Sequence, residues 1–264
     1  VPIKVDREER PDIDSIYMTI CQQVTGRGGW PLSAWLTPEG KPFYIGTYFP
    51  KTPQGQMPGF LDLLEKIAAS WSDPDERSEM QQRAEQWADT ARDKYDTPSP
   101  ETGGEVPGED TLDSAVRTSL RSFDDEYGGF GSDGPKFPQP GRLDLLLRAA
   151  GRSGSDDALG AATTTLDAMA NGGMYDQLGG GFHRYATDRE WTVPHFEKML
   201  YDNAGLPPLY LAGHQLTGQG RYIDVVEETL AFVDRELTHP EGGFYITLDA
   251  RIAAAEGSFY VWTP

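Results

Sequence analysis

The chain has 264 residues and 38% of them are hydrophobic, which is enough for a sizeable buried core. It carries 42 acidic and 23 basic residues, giving a formal net charge of −19, and this argues against binding to nucleic acid or to an anionic membrane. There is no apolar run of the roughly 20 residues needed to cross a bilayer, and the single cysteine, Cys21, cannot form an internal disulfide. We therefore expect a globular cytoplasmic protein, and the even spread of acids favours a halophilic source.

The first part of the chain, residues 1–96, mixes strand and helix patterns and is predicted to be an α/β domain. The sequence between the last two strands contains Gly40, which is typical of a hairpin turn. The opening residues resemble an interior strand and no methionine precedes them, so we expect a fragment of a longer protein. The predicted strands are 3–5, 32–36 and 43–48, and the predicted helices are 12–24, 59–70 and 75–94.

Residues 97–110, TPSPETGGEVPGED, are rich in proline, glycine and acid and are predicted to be a linker. Beyond them, in residues 111–264, the pattern changes to helices separated by glycine-rich breaks. The predicted helices are 111–122, 141–150, 155–172, 193–206 and 222–237.

The breaks repeat the sequence Gly-Gly-Phe at 128–130, 180–182 and 242–244, at intervals of 52 and 62 residues. A repeat of about 50 residues with two helices and a fixed corner indicates an array of helical hairpins. Closed α/α toroids are built in this way, with the corner loops at the mouth of the central cavity. Three hairpins make half of a six-hairpin ring, so we predict an incomplete (α/α)6 toroid.

The run 179–203, GGGFHRYATDREWTVPHFEKMLYDN, holds two of the four histidines and many other polar groups. On a helix beginning near Pro194, the side chains of His195, Lys198 and Asp202 would share one face. A proton acceptor would then lie beside a cation, with Asp202 to orient either one. This arrangement suits proton abstraction next to a carbonyl group.

The predicted site contains two groups of residues. We expect the catalytic residues to be His195, His183, Lys198 and Glu197. We expect substrate to be bound by Arg184, Tyr185, Asp188, Trp191, Asp176, Asp124, Lys136 and Phe182, with Trp191 and Phe182 stacking on a sugar face. The alternative is that these histidines are structural, and that Glu197 forms an ion pair with Arg184 or Lys198.

A second polar corner contains Asp124, Asp125 and Glu126, followed by Lys136. Two carboxylates at this corner would also be compatible with glycoside hydrolysis. The sequence has no HExxH motif, no cysteine cluster and no phosphate-binding loop between a strand and a helix. We therefore predict no metal and no other cofactor.

Several long motifs resemble one known family. They are IKVDREERPDID, GGWPLSAWLTPEGKPFYIGTYFP, FDDEYGGFG, PKFPQP and the whole run 179–203. The chain is similar in these motifs to the spermatogenesis-associated, thioredoxin-domain-containing proteins. That resemblance implies a thioredoxin-like domain joined to an (α/α)6 toroid similar to N-acylglucosamine 2-epimerases. It also implies epimerase-like or isomerase-like proton transfer on a sugar-like small molecule.

The resemblance has departures as well. The family normally carries a Cys-x-x-Cys pair just before IKVDREERPD, and this chain lacks that segment, so we assign it no dithiol exchange. Trp30-Pro31 resembles the proline loop of thioredoxin folds, where such a proline is often cis. Pro207-Pro208 is predicted to interrupt the helix that follows Asn203. The competing hypothesis is a redox-linked or scaffold protein whose toroid binds a partner without chemistry.

Overall fold

A computed structural model describes residues 1–55, 57–95, 108–252 and 255–261. The chain divides into two compact units, Val1–Gly104 and Glu105–Pro264. Most of the predicted linker, residues 97–107, lies outside the described residues. No helix in the described ranges is both long and apolar enough to span a membrane.

The described residues of the first unit form three helices and one antiparallel hairpin. Its core contains Ile20, Cys21, Ile45 and Ala91, and the buried Cys21 is a free thiol. The elements are α1 (Pro11–Thr25), β1 (Ser33–Leu36), β2 (Pro42–Gly46), α2 (Phe60–Ser72) and α3 (Pro74–Tyr95), with Ala34 opposite Ile45 in the hairpin.

Two details of this unit bear on the predictions. The strand expected at residues 3–5 is wrong, because these residues are exposed and pair with no strand of the described part of the chain. The Trp30–Pro31 peptide bond is cis, as the family resemblance implies.

The second unit is built from helices joined by corners and very short strands. The helices are α4 (Glu109–Arg121), α5 (Pro140–Ser153), α6 (Asp156–Asn171), α7 (Leu200–Thr217) and α8 (Gly220–Phe232), which continues into a π-helical turn at Val233–Leu237. The strands are β3 (Tyr185–Ala186), β4 (Pro194–His195), β5 (Lys198–Met199), β6 (Thr247–Leu248), β7 (Arg251–Ile252) and β8 (Ala255–Glu256).

The helices of the second unit pack as hairpins, α5 against α6 and α7 against α8, with α5 also against α7. Small residues such as Ala158 and Ala162 lie at the buried face of α6, where they allow neighbouring side chains to approach closely. Larger side chains, including Leu146, Leu166 and Tyr210, are fully buried between the helices. The predicted fold class, an α/β unit followed by an all-α array of hairpins, is confirmed.

The three Gly-Gly-Phe corners are real structural repeats. In each corner both glycines have positive φ, between 71° and 96°, a conformation that L side chains rarely adopt. Each corner is closed by an isolated bridge between two residues that flank its glycines. These bridges are Phe123 with Phe130, Tyr175 with Phe182, and Thr238 with Phe244.

The helix predicted at 193–206 is wrong in its first half. Residues Pro194–His195 pair with β3, and Lys198–Met199 pair with β6, so the helix begins only at Leu200. Strand pairing with distant residues has overridden the local helical pattern, as tertiary context often does.

The predicted interruption at Pro207-Pro208 is also wrong. Both prolines lie inside α7, which continues to Thr217. A proline inside a helix removes a backbone hydrogen bond. Here Leu206, Pro207 and Leu209 are all buried, and this packing stabilises the uninterrupted helix.

Candidate functional site

A buried lysine holds the first Gly-Gly-Phe corner, which we call corner 1 (residues 123–130). We use the name lock for a lysine that binds both the aspartate and a glycine carbonyl oxygen of its corner. Lys136 Nζ donates to Asp124 Oδ2 at 2.6 Å and also to the carbonyl oxygen of Gly128. Arg189 adds two hydrogen bonds to the same carboxylate, at 2.7 and 2.9 Å. Burial opposes ionisation of Asp124, but the hydrogen bonds from Arg189 and Lys136 hold its pKa well below its usual range.

The second corner, corner 2 (residues 175–182), has the same lock. Lys198 Nζ donates to Asp176 Oδ2 and to the carbonyl oxygen of Gly180, both at 2.8 Å. Asp176 Oδ1 accepts the N–H groups of Leu178 and Gly179 at 3.1 and 2.9 Å. Burial lowers the pKa of Lys198, and the contact with Asp176 opposes that effect.

These two locks bear on the roles predicted from the sequence. Lys198 and Lys136 are about 1% and 2% exposed, and both hold backbone in place. The same contacts occupy the carboxylates of Asp124 and Asp176, and the catalytic and substrate-binding roles predicted for the four residues stay predictions. The two-carboxylate site for glycoside hydrolysis at corner 1 also stays a prediction, with the Asp124 carboxylate paired to Lys136 and Arg189.

His183 lies next to the lock of corner 2 and is also buried. Its Nδ1 lies 3.1 Å from the carbonyl oxygen of Phe196, so this nitrogen carries the proton that it donates. The rings of Phe196 and Tyr260 contact it edge-on. Burial and the charge of Lys198 lower the pKa of His183 to about 4, so His183 is neutral at neutral pH.

The two aromatic residues predicted to stack on a sugar are in the core. Trp191 is fully buried and its Nε1 donates to the carbonyl oxygen of Tyr127 at 3.1 Å. Phe182 is also fully buried, with its ring stacked on Tyr210. Both rings are packed in the core, and their predicted stacking on a sugar stays a prediction.

Asp188 stabilises a turn of the backbone. Its two carboxylate oxygens accept the N–H groups of Thr192 and Val193, at 2.9 and 2.7 Å. This local hydrogen bonding is typical of aspartate in turns and accounts for the residue without a ligand.

His195 has a different environment from His183. It lies on β4, its side chain is 25% exposed, and it stands between two carboxylates. Its Nδ1 is 2.5 Å from Glu256 Oε1, and its Nε2 is 3.5 Å from Glu197 Oε2. The second distance is too long for a tight hydrogen bond, so Nε2 is the ring nitrogen that can bind a further hydrogen-bond partner.

Glu197 joins His195 to Arg184. Arg184 Nη1 donates to Glu197 Oε2 at 2.7 Å, and the Arg184 backbone N–H donates to the carbonyl oxygen of Glu197 at 2.8 Å. In extended chain, residues two apart point to the same side, which brings His195 and Glu197 together. Lys198 then points to the opposite side, toward corner 2, and the helical face predicted for His195 and Lys198 does not exist.

A row of three rings ends at His195. Lys136 and Ala186 exchange backbone hydrogen bonds of 2.9 Å, which places Phe137 beside Tyr185. Tyr185 in turn lies opposite His195 in the β3–β4 pair. Ring centroids are 4.7 Å apart for Phe137 and Tyr185, and 5.1 Å apart for Tyr185 and His195, both stacked. We call these three residues the ring row, and Phe137, which is 48% exposed, is its outer member.

Asp202 completes the cluster around Glu197. It lies in the first turn of α7, is about 5% exposed, and its Oδ2 has no hydrogen-bond partner among the described residues. Burial raises its pKa to about 7; Arg184 opposes this shift and Glu197 adds to it. We use the name outer cluster for His195, Glu197, Arg184, Glu256 and Asp202.

Sequence reasoning missed Phe137 and Glu256 as members of the site. Phe137 directly follows Lys136. Because successive side chains of a strand point to opposite faces, the sequence could have predicted that the Phe137 ring points away from the lysine side chain. No signal in the sequence connects Glu256 to His195, which is 61 residues away.

Two surface cavities in the described part of the chain have volumes of about 380 and 360 Å³, and neither is lined by a predicted site residue. Among the described residues, no group of three or more His, Cys, Asp or Glu side chains is arranged to hold a metal ion. The residues of the outer cluster are therefore brought together by short strands and by α7, and they line neither cavity.

The fold and the outer cluster define a two-unit protein, with an α/β unit and a helical-hairpin unit that carries the candidate site. Residues 1–92 match the Thioredox_DsbH family, described as a protein of unknown function, DUF255. The chain is 41% identical over 275 residues to spermatogenesis-associated protein 20 of Homo sapiens, and 38% identical to an uncharacterized protein of Caenorhabditis elegans. These alignments include 100% and 99% of this chain.

The resemblance to the spermatogenesis-associated proteins is thus confirmed along the whole chain. The chain spans about a third of the length of these relatives, 34% and 36%. A solved structure of cellobiose 2-epimerase from Spirochaeta thermophila is similar with a TM-score of 0.48 and 21% identity, over 53% of this chain and 39% of that one.

Proposed function

We propose that the second unit transfers a proton to and from a sugar-like small molecule, as an epimerase or isomerase does, and that His195 is the residue that exchanges the proton. The single observation that supports this is the contrast between the histidines of the candidate site. His183 is buried and holds a carbonyl oxygen, whereas His195 is partly exposed between two carboxylates.

The contacts of His195 suit a general base. When Nδ1 donates its proton to Glu256, the lone pair of Nε2 is free to accept a proton from a carbon next to a carbonyl group. The carboxylate of Glu256 then stabilises the imidazolium that forms.

Arg184 supplies the complementary charge. Removing a proton next to a carbonyl group leaves negative charge on the carbonyl oxygen, and a guanidinium can stabilise it. Because a guanidinium has five N–H donors, Arg184 can bind Glu197 and a substrate oxygen at the same time. Glu197 fixes the position of this guanidinium.

The ring row supplies the apolar surface of the proposed site. Ligand sites combine aromatic side chains with a few well-placed polar groups. Phe137 and Tyr185 extend from His195 as a row of stacked rings, and the exposed ring of Phe137 offers a face to a sugar. Tyr185 and Arg184 therefore keep the substrate-binding roles predicted for them, as part of this proposal.

The test is proton NMR in D2O with a panel of aldoses, ketoses, N-acyl amino sugars and cellobiose. We expect deuterium to enter next to the carbonyl carbon of at least one sugar, and the His195→Ala variant to abolish that exchange. His214→Ala is the matched control, because His214 lies on α7 and its Nδ1 contacts the carbonyl oxygen of Gln219. Exchange that survives in His195→Ala, or its absence from the wild type for every sugar, would contradict the proposal.

The second candidate function is binding of a partner without chemistry. The two lysine locks support it, because the contacts of Lys198 and Asp176 hold the backbone of corner 2 in place. The deuterium experiment separates the two candidates, since a scaffold would give no exchange with any sugar. Dithiol exchange is not proposed, because Cys21 is the only cysteine of the chain and is buried.

A further inference from the structure

The Asp202 carboxyl group is buried without the partners that its neighbour has. Asn203, the next residue on α7, uses its side-chain amide to accept the N–H of Phe182 at 2.7 Å and to donate to the carbonyl oxygen of Phe182 at 3.0 Å. Asp202 Oδ2 has no such contact in the described part of the chain. A charged carboxylate in this position would lose its hydration without compensation.

The charges that act on Asp202 do not compensate its burial either. Arg184 attracts a negative charge on Asp202, and Glu197 repels it. The guanidinium of Arg184 is already paired with Glu197 at 2.7 Å. The charge of Arg184 acts on both carboxyl groups but its hydrogen bond goes to Glu197, so the more buried Asp202 keeps its proton to higher pH.

We propose that Asp202 is held as a neutral, protonated carboxyl group, and that this state preserves the Arg184–Glu197 pair beside His195. Asp202 is then a positioning residue, because it acts through Glu197. Its effect on the reaction rests on the proposed function. Its protonation state does not, and can be measured in the free protein.

Loss of the Asp202 proton to solvent would alter the site. Ionised Asp202 would compete with Glu197 for the guanidinium of Arg184, and the repulsion between the two carboxylates would rise. Glu197 would then no longer be fixed next to His195. We expect this change as the pH rises through about 7, where burial places the pKa of Asp202.

The first test is carbon-13 NMR of the whole chain labelled at the aspartate side-chain carboxyl groups. One aspartate resonance should titrate with a midpoint near pH 7, and it should be missing from the Asp202→Asn variant. Asp144→Asn is the matched control, because Asp144 is a helical aspartate paired with Arg148 on the surface, and that variant should keep the resonance. The wild-type spectrum alone decides the point if Asp202→Asn fails to fold. If every aspartate titrates below about pH 5, near the ordinary value, the inference is overturned.

The second test is the pH profile of deuterium exchange. The wild-type rate should fall above pH 7, whereas Asp202→Asn, a neutral mimic of the protonated group, should keep its neutral-pH rate up to pH 9. Loss of exchange at all pH values in a folded Asp202→Asn variant would overturn the positioning role. Absence of exchange from the wild type would instead count against the proposed function, and the carboxyl titration would still decide the protonation state.

Discussion

Lys198 and Asp176 form a buried ion pair whose lysine also holds the carbonyl oxygen of Gly180, and the same arrangement of lysine, aspartate and glycine carbonyl is found at corner 1. The third Gly-Gly-Phe corner has a histidine in place of the aspartate. There His239 Nδ1 accepts the N–H of Glu241 at 3.1 Å, as the aspartates accept N–H groups in the other corners. The lock therefore occurs at corners 1 and 2, and the third corner shares with them the side chain that accepts a backbone N–H group.

The lock should contribute strongly to stability. We expect Lys198→Met to lower the free energy of unfolding by about 3 to 5 kcal/mol, because it leaves Asp176 partly buried without its cation. Lys41→Met removes a lysine from the more exposed pair with Glu85 and should cost at most about 1 kcal/mol. Urea unfolding of both variants provides the comparison. Equal losses would mean that the buried pair has no special role.

The packing of corner 1 against Trp191 can be tested with two glycines. Gly129 and Gly134 both have positive φ, 79° and 72°. A Cβ atom at Gly129 would lie 2.6 Å from Trp191 Cζ2, whereas one at Gly134 would meet nothing within 4 Å. Gly134→Ala should cost about 1 to 2 kcal/mol from backbone strain, and Gly129→Ala about 1 to 3 kcal/mol more from the clash.

Thermal and urea unfolding of the two alanine variants measure this difference directly. Because both glycines have positive φ, the difference reports the crowding at Gly129 by the indole ring of Trp191 and by Lys136 Cδ, which would lie 3.2 Å from the added Cβ atom. Indistinguishable stabilities would show that Trp191 does not pack against Gly129 in solution.

His183 should make the protein sensitive to mild acid. Its pKa is lowered to about 4 by burial, while an unfolded histidine has a pKa of about 6.5. Between these values the unfolded chain binds more protons than the folded one, so stability should fall as the pH drops through this window. The loss from this residue should approach about 3 kcal/mol by pH 4.

Urea midpoints from pH 7.5 to pH 4 test this prediction in the wild type and in His183→Gln. The glutamine does not titrate and its amide can still donate to the carbonyl oxygen of Phe196. The variant should therefore show a flatter pH dependence than the wild type. Parallel curves for the two proteins would mean that His183 is not buried as a neutral group.

Phe137 should affect sugar affinity and leave the chemical step unchanged. If a sugar binds on the ring row, Phe137→Ala should raise KM by about 5- to 30-fold with little change in kcat, which corresponds to about 1 to 2 kcal/mol of lost contact. Phe244→Ala is the control, because Phe244 is an exposed aromatic residue of the third corner, 60% exposed. A fall in kcat at constant KM would place Phe137 outside the binding surface.

The sequence predicts the corners better than the contacts made at them. Paired glycines require positive φ, so the three Gly-Gly-Phe repeats are visible in the sequence. The locks are not, because Lys136 is 12 residues from Asp124 whereas Lys198 is 22 residues from Asp176. Only the folded chain brings each lysine to its corner.

In the candidate site, too, the sequence predicts the local segment better than its long-range contacts. The run 179–203 contains Arg184, His195 and Glu197, and these three do meet. Their neighbours could not be predicted, because the segment at His195 pairs as a strand and thereby separates it from Lys198. The contact between His195 and Glu256 joins residues that are 61 positions apart, so no local sequence pattern predicts it.

Chemical rescue with imidazole tests whether His195 carries the proton. Deuterium exchange of a responsive sugar is measured with His195→Ala in the presence and absence of added imidazole. We expect imidazole to fill the space of the missing side chain, to restore exchange to His195→Ala and to leave the wild-type rate unchanged. A variant that still binds the sugar but shows no rescue would exclude this role for His195, and so would a variant that exchanges without imidazole as fast as the wild type.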